Sequence, residues 1–382
     1  MSPLGRAGWA VVPAVLAAAV AGGWAARRVP AGVNPHPVRL VRPARAPLSV
    51  MAQIGRDLFS DPALSPSGAL SCASCHSPAH AYGPPEHPPA PGARAIPSLR
   101  YVDRIPSFGI GPDAPEQDGP TVGPVPRAGA GNAAPAAGSA TSAVALVPRG
   151  GLFWDGRAAT LQGQAMGPLF NPREMANRDT AALESRLAAR YGARLREVFG
   201  EEVLRDRRLL LDEAVFAITR FEIEDPSFHP YNSKYDAYLE GRARLTRAEA
   251  RGLALFDDPA RGNCASCHLD RPGPGGRPPV FSDYEYEALG VTPDDPDQGL
   301  CGPLRTDLAG RRDLCGMFRT PSLRNAATRT AFFHDARIRT LAGAVAAYAV
   351  PAVRRAAQVG RLSQGDRADI VAFLKTLTDG YF

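Results

Sequence analysis

Apolar residues recur at helical spacing in several separate stretches of the chain. Leu183, Leu187, Tyr191 and Leu195 form one stripe within residues 178–199, and Val215, Ile218 and Phe221 extend another within 212–222. Both predict amphipathic helices whose apolar side is core rather than cofactor contact. Ile54-Gly-Arg-Asp-Leu-Phe59 and Arg251-Gly-Leu-Ala-Leu-Phe256 resemble each other, and each predicts an apolar helix, the second starting at Thr246. Residues 340–350 predict a helix with Leu341, Val345 and Tyr348 on one face, so that the phenol can point inward. Ser363 to Leu377 predicts a capped helix with Ile370, Leu374 and Leu377 on one face, packing across the second half of the chain.

Gly and Pro, 38 of each, mark long irregular segments and do not favour long strands. Arg104 to Gly151 has few large apolar residues and reads as a long surface loop; a partner-binding flap is the less favoured reading. At the start, Arg6 precedes an apolar run from Ala7 to Ala26, followed by Arg27 and Arg28. This is the pattern of an export signal. A run of about 20 residues also spans a bilayer if helical, so the segment is either cleaved or kept as an N-terminal anchor. Residues 29–48, rich in Pro and Arg, read as a linker, and Gly241 to Leu245 as a domain boundary. The expected organisation is therefore leader and linker at 1–45, a first domain at 46–240 holding the 104–151 insertion, and a second domain at 241–382.

The net charge of +6 raises nucleic acid or anionic membrane as partners, but its distribution answers this. Six arginines (Arg6, Arg27, Arg28, Arg39, Arg42, Arg45) and no acid lie in residues 1–45, leaving 38 basic against 38 acidic residues. The charge signals export, not nucleic acid. Of six cysteines, four lie in two copies of one motif, Cys72-Ala-Ser-Cys75-His76 and Cys264-Ala-Ser-Cys267-His268. C-x-x-C-H is the attachment signature of c-type haem. Two thiols three residues apart can each bond a haem vinyl group, and the adjacent imidazole then falls under the iron. A zinc site would need four ligands per copy, and a thioredoxin-like pair a βαβ context. Two covalently bound c-type haems are expected, in two tandem cytochrome c-like domains of a mostly α fold with long loops. Haem attachment outside the cytoplasm also places the chain in the periplasm. Cys301 and Cys315 remain, and in an oxidising compartment the economical reading is a disulfide worth roughly 3 kcal/mol, with free thiols or a third metal site as the alternatives.

Three further segments carry a resemblance. Leu152-Phe-Trp-Asp-Gly-Arg-Ala158, Gln164-Ala-Met-Gly-Pro-Leu-Phe-Asn-Pro-Arg-Glu-Met175 and Phe318-Arg-Thr-Pro-Ser-Leu-Arg-Asn325 with Phe332-Phe-His-Asp335 are similar to motifs of the bacterial di-haem cytochrome c peroxidase and MauG family. The likeness covers about residues 50–378 without the insertion. It implies that the His76 haem has an open, peroxide-binding side. Glu174 then matches the distal acid/base carboxylate and Pro168 the residue facing the open iron, with Gln164 in the same polar network as Glu174. Trp154 matches the indole between the haems, a position compatible with ordinary core packing. The family's peroxidases place Met fourteen residues after the histidine corresponding to His334, whereas Tyr348 stands at that spacing here, as in the MauG members. A Tyr ligand lowers the iron potential and suits a store of oxidising equivalents. Its rivals are Met317 as ligand and a Tyr348 that merely packs.

Other positions depart from the family. His87 has the spacing of a histidine that blocks the first haem at rest, but sits in Glu86-His-Pro-Pro. Ala95 stands where relatives carry a calcium-binding asparagine, leaving only carbonyls near Arg329 and Ala331, so calcium stays open. The resemblance implies an oxidoreductase that reduces hydrogen peroxide and oxidises an exported redox protein or protein substrate. Its rivals are a peroxide-detoxifying enzyme fed by a small cytochrome or cupredoxin, and an electron carrier with both haems closed.

Overall fold

The helix before each CxxCH motif is pinned to a second helix through a glycine. The first, α1 (Val50–Ser60), starts at Ser49, whose side chain accepts the Ala52 N–H. It is followed by α2 (Cys72–Cys75), β1 (Gly109–Pro112), β2 (Leu146–Arg149), α3 (Leu161–Phe170), α4 (Thr180–Phe199), α5 (Glu202–Arg205) and α6 (Arg207–Glu224). Then come α7 (Lys234–Leu239), α8 (Arg247–Asp257), β3 (Tyr286–Glu287), β4 (Phe318–Arg319), α9 (Leu341–Ala347), α10 (Pro351–Ala356) and α11 (Gln364–Lys375). A Cβ on Gly55 of α1 would lie 1.8 Å from the Ala217 carbonyl oxygen of α6, and one on Gly252 of α8 would lie 2.0 Å from that of Asp369 in α11. Only glycine permits either crossing. The repeated segments seen in the sequence thus make the same contact twice. The structure, a computed structural model, describes residues 32–89, 94–112, 146–289 and 294–382.

Helix starts are capped as their sequences dictate. Asp179 and Asp206 accept the first amides of α4 and α6. Thr246 with Glu249, and Ser363 with Asp366, form reciprocal capping boxes on α8 and α11, each cap worth about 1 kcal/mol. Two apolar cores result. The first gathers Leu58, Phe59, Leu187, Leu195, Phe221 and Phe228 around α1, α4 and α6. The second gathers Tyr235, Phe256, Phe281, Phe373 and Leu377 around α8 and α11. The strands form two short antiparallel pairs, β1 with β2 and β3 with β4.

The second core takes in residues that precede 241 in the chain. Leu40, assigned to a linker, is 4% exposed and belongs to the second core. Val38 N–H donates to the Leu239 carbonyl at 2.9 Å and Val41 N–H to that of Gly276 at 2.8 Å. Arg42 grips Glu240 through both terminal nitrogens at 2.7 and 3.0 Å. One leucine among prolines and arginines is too sparse a pattern to announce such packing. Tyr235 and Leu239 of α7 also pack in the second core. The 104–151 insertion is partly regular, its base closed by β1 and β2; residues 113–145 lie outside the described residues, as does the expected leader. The helix expected over 340–350 stops at Ala347 with Tyr348 as its C-cap.

The cores are joined by a buried polar network. Arg324 donates to Asp236 at 2.6 and 2.9 Å, with both side chains wholly shielded. Asp379 accepts from Tyr101 at 2.7 Å, Asn325 at 2.6 Å and Arg100 at 3.0 Å. Cys301 and Cys315 are bonded, with Cα atoms 4.8 Å apart.

Candidate active site

The two motif histidines are oriented by the same device. α2 carries Cys72 and Cys75 on one turn, and the Nδ1–H of His76, next in sequence, donates to the Tyr82 carbonyl at 3.1 Å. The Nδ1–H of His268 donates to the Phe281 carbonyl at 2.9 Å. Tyr82 and Phe281 both have left-handed backbones, φ 54° and 57°, a conformation costing roughly 1–3 kcal/mol for such residues. Packing holds it, since Tyr82 stacks on Phe228 at 3.7 Å and Phe281 meets Tyr235 at 5.5 Å. With Nδ1 occupied as a donor, each ring keeps Nε2 as a lone-pair donor, the state a metal-binding imidazole needs. Burial lowers the pKa of both imidazoles, that of His76 to about 4, against the opposing pull of the carbonyls.

Glu174 sits in the turn after α3. The Asn171 side chain donates to Glu174 Oε1 at 2.7 Å, and the Glu174 N–H donates to the Asn171 carbonyl at 3.0 Å. Burial raises its carboxyl above the usual range, opposed by Asn171 and by the positive charge of Arg157. The Cys75 thiol is raised first by burial and then by the Glu174 charge, so this carboxylate lies within electrostatic reach of the first motif. Pro168 lies inside α3 and its carbonyl accepts the Met175 N–H at 3.1 Å. Gln164 lines a chamber with Trp154, and Glu174 takes Asn171 as its hydrogen-bond partner.

Trp154 is buried, and its indole N–H donates to the Ala95 carbonyl at 2.8 Å. Its chamber reaches Pro97 and Pro321, which contact His76 and His268 respectively. Tyr348, half-buried, has its phenol pKa raised by burial and then by Cys264, Cys267 and Glu287. The phenol therefore lies within electrostatic reach of the second motif.

A family model described as di-haem cytochrome c peroxidase matches residues 49–244. The chain belongs to the di-haem cytochrome c peroxidase family. It is 30% identical to the methylamine utilization protein MauG of Paracoccus denitrificans over 88% of this chain and 90% of that protein. It is likewise 30% identical to the cytochrome c551 peroxidase of Nitrosomonas europaea, over 90% and 83%. The crystal structure of the diheme peroxidase BthA from Burkholderia thailandensis superposes with a TM-score of 0.70 at 30% identity, covering 92% of this chain and 95% of that one. This di-haem peroxidase is therefore an oxidoreductase of a class that works with two c-type haems.

The residues present fit two such groups. Each motif offers two thiols outside any disulfide and an oriented imidazole. Arg329 Nε and Nη2 and Arg319 Nε are shut off from solvent with no hydrogen-bond partner, and a haem brings carboxylates to answer them. His87 is exposed on its loop. Met317 packs with Tyr286, Leu300 and Leu314 in a separate small cluster. No group of three His, Cys, Asp or Glu among the described residues forms a metal cluster; Ala95 donates its amide to the His334 carbonyl at 2.7 Å and gives its own carbonyl to Trp154. Sequence reasoning missed the Tyr82 and Phe281 carbonyls and Arg329, because no residue type signals where a carbonyl or an unpaired guanidinium will point.

Proposed function

We propose that the protein is an exported di-haem peroxidase of the MauG type, with one haem in each of two cytochrome c-like domains. Hydrogen peroxide is reduced at the site of Cys72, Cys75 and His76, and an exported partner protein is oxidised from the site of Cys264, Cys267, His268 and Tyr348. The observation that carries this reading is that the Tyr348 phenol lies close enough to Cys264 and Cys267 for their charges to act on it, from where its oxygen would join His268 in holding the second haem. When bound, the haems supply iron that accepts peroxide and holds oxidising equivalents. Glu174 takes a proton from one peroxide oxygen and returns it to the leaving oxygen; burial, by raising its pKa, makes it a stronger base for this task. Trp154 holds an indole between the two sites, fixed by Ala95. The packing of Met317 against Tyr286, Leu300 and Leu314 supports Tyr348 over it as the ligand.

The second reading, a peroxide-detoxifying enzyme fed by a small cytochrome or cupredoxin, is favoured by the equal identity to a cytochrome c551 peroxidase. Tyr348 decides between them. Resonance Raman of the haem-loaded protein should show iron-bound phenolate modes that vanish in Tyr348→Phe. Their absence from the unsubstituted protein removes the MauG-type reading.

A further inference from the structure

Arg329 lies on the chamber wall it shares with Trp154, its guanidinium carbon 6.0 Å from the indole centroid. Other arginines in the interior have carboxylates: Arg324 has Asp236, Arg94 has Asp155 and Asp297, and Arg305 has Asp307. Arg329 Nε and Nη2 are closed to solvent and bond to nothing. Burial, unopposed by any carboxylate, lowers its pKa to about 10, so it stays a cation at neutral pH. A guanidinium with two nitrogens sealed from water and no counter-charge is unfavourable. The neighbouring wall offers no relief: Arg100 is committed to Asp379, and Arg319 Nε is itself without a partner. The fork of a guanidinium matches the two oxygens of a carboxylate, and the chamber adjoins both motif histidines through Pro97 and Pro321.

We propose that Arg329 is the positioning residue of this chamber: its guanidinium receives a haem carboxylate as its missing counter-ion and fixes that carboxylate beside Trp154. The inference rests on the two-haem reading. It gives the Arg329 charge a second consequence. Alone, that charge opposes withdrawal of an electron from the indole; paired with a carboxylate, its opposition is largely cancelled. Arg329 thereby links cofactor seating to the electrostatics of Trp154.

The test compares Arg329→Gln and Arg329→Lys with the unsubstituted holoprotein. Haem content per chain is measured first, and fewer than two haems in the unsubstituted protein would refute the two-haem reading itself. With two haems bound, redox titration of Arg329→Gln should lower the midpoint of at least one haem by tenfold or more in its reduction equilibrium constant, 59 mV for one electron. The carboxylate then lacks its cation. Arg329→Lys should recover most of the shift. Unchanged midpoints in Arg329→Gln overturn the proposal. If Arg329→Gln takes up no haem, recovery of uptake in Arg329→Lys supports it, and failure of both variants assigns Arg329 to packing and overturns it.

Discussion

The indole N–H of Trp154 donates to the carbonyl of Ala95 at 2.8 Å, while the Ala95 amide donates to the carbonyl of His334 at 2.7 Å. The Trp154 carbonyl accepts the Arg319 N–H at 3.0 Å. The ring is therefore tied to the chain leaving the first motif, and the backbone of Trp154 to the loop leading toward Tyr348. Its position is fixed by hydrogen bonds at both ring and backbone.

Trp154→Phe should keep both haems and lose about 1 kcal/mol of stability from the missing hydrogen bond. If the indole mediates between the sites, stopped-flow spectroscopy should show electron redistribution between the haems slowed by tenfold or more. Equal rates in the two proteins would leave Trp154 a packing residue.

Glu174→Gln should slow the reaction with hydrogen peroxide by roughly 100-fold, the order expected for loss of a general acid/base. The carboxylate form is the proton acceptor, so the rate should rise with pH through a value above the ordinary glutamate pKa, as burial dictates. In Glu174→Gln that rise should disappear. A variant that keeps both the rate and the pH profile removes the role.

Much of this was legible in the sequence, and the reasons differ by residue. The stripe from Leu183 to Leu195 and the Thr246 and Ser363 caps depend on local chain chemistry, and the helices form where the pattern puts them. CxxCH fixes two thiols and a ring by spacing alone. Leu40 reaches the second core through backbone pairing with residues 239 and 276, which no local pattern encodes. Gln164 and Glu174 are near in sequence, but only the fold shows that Gln164 lines the Trp154 chamber and that Asn171 holds Glu174. The two glycines were visible within the repeated segments, but their purpose appears only when α6 and α11 are laid across them.

Gly252→Ala should destabilise the second core, because its methyl group would meet the Asp369 carbonyl at 2.0 Å and force α8 from α11. A loss of about 1–3 kcal/mol in denaturant unfolding is expected for such overpacking, and Gly55→Ala should behave alike in the first core. Gly109→Ala, where a Cβ meets nothing within 4 Å, is the control. Equal stability of all three would show that the crossings can relax.

Glu222 of α6 is buried, and its Oε2 has no hydrogen-bond partner. Burial raises its carboxyl to about 8 from an ordinary 4.5. Its contribution to stability is full below the unfolded value and is lost as pH rises through the folded one, at about 1.4 kcal/mol per pH unit between them. Glu222→Gln should therefore gain on the unsubstituted protein by a few kcal/mol between pH 5 and pH 8 in unfolding titrations. Parallel stability curves would mean that the carboxyl is solvated.

The most direct measurement adds hydrogen peroxide in equal amount to the fully oxidised di-haem protein, with no reductant, and follows its absorption spectrum. A Tyr348-ligated second site predicts prompt formation of a long-lived state two oxidising equivalents above the starting protein, discharged on adding a reductant. No reaction until one haem has first been reduced would contradict the account.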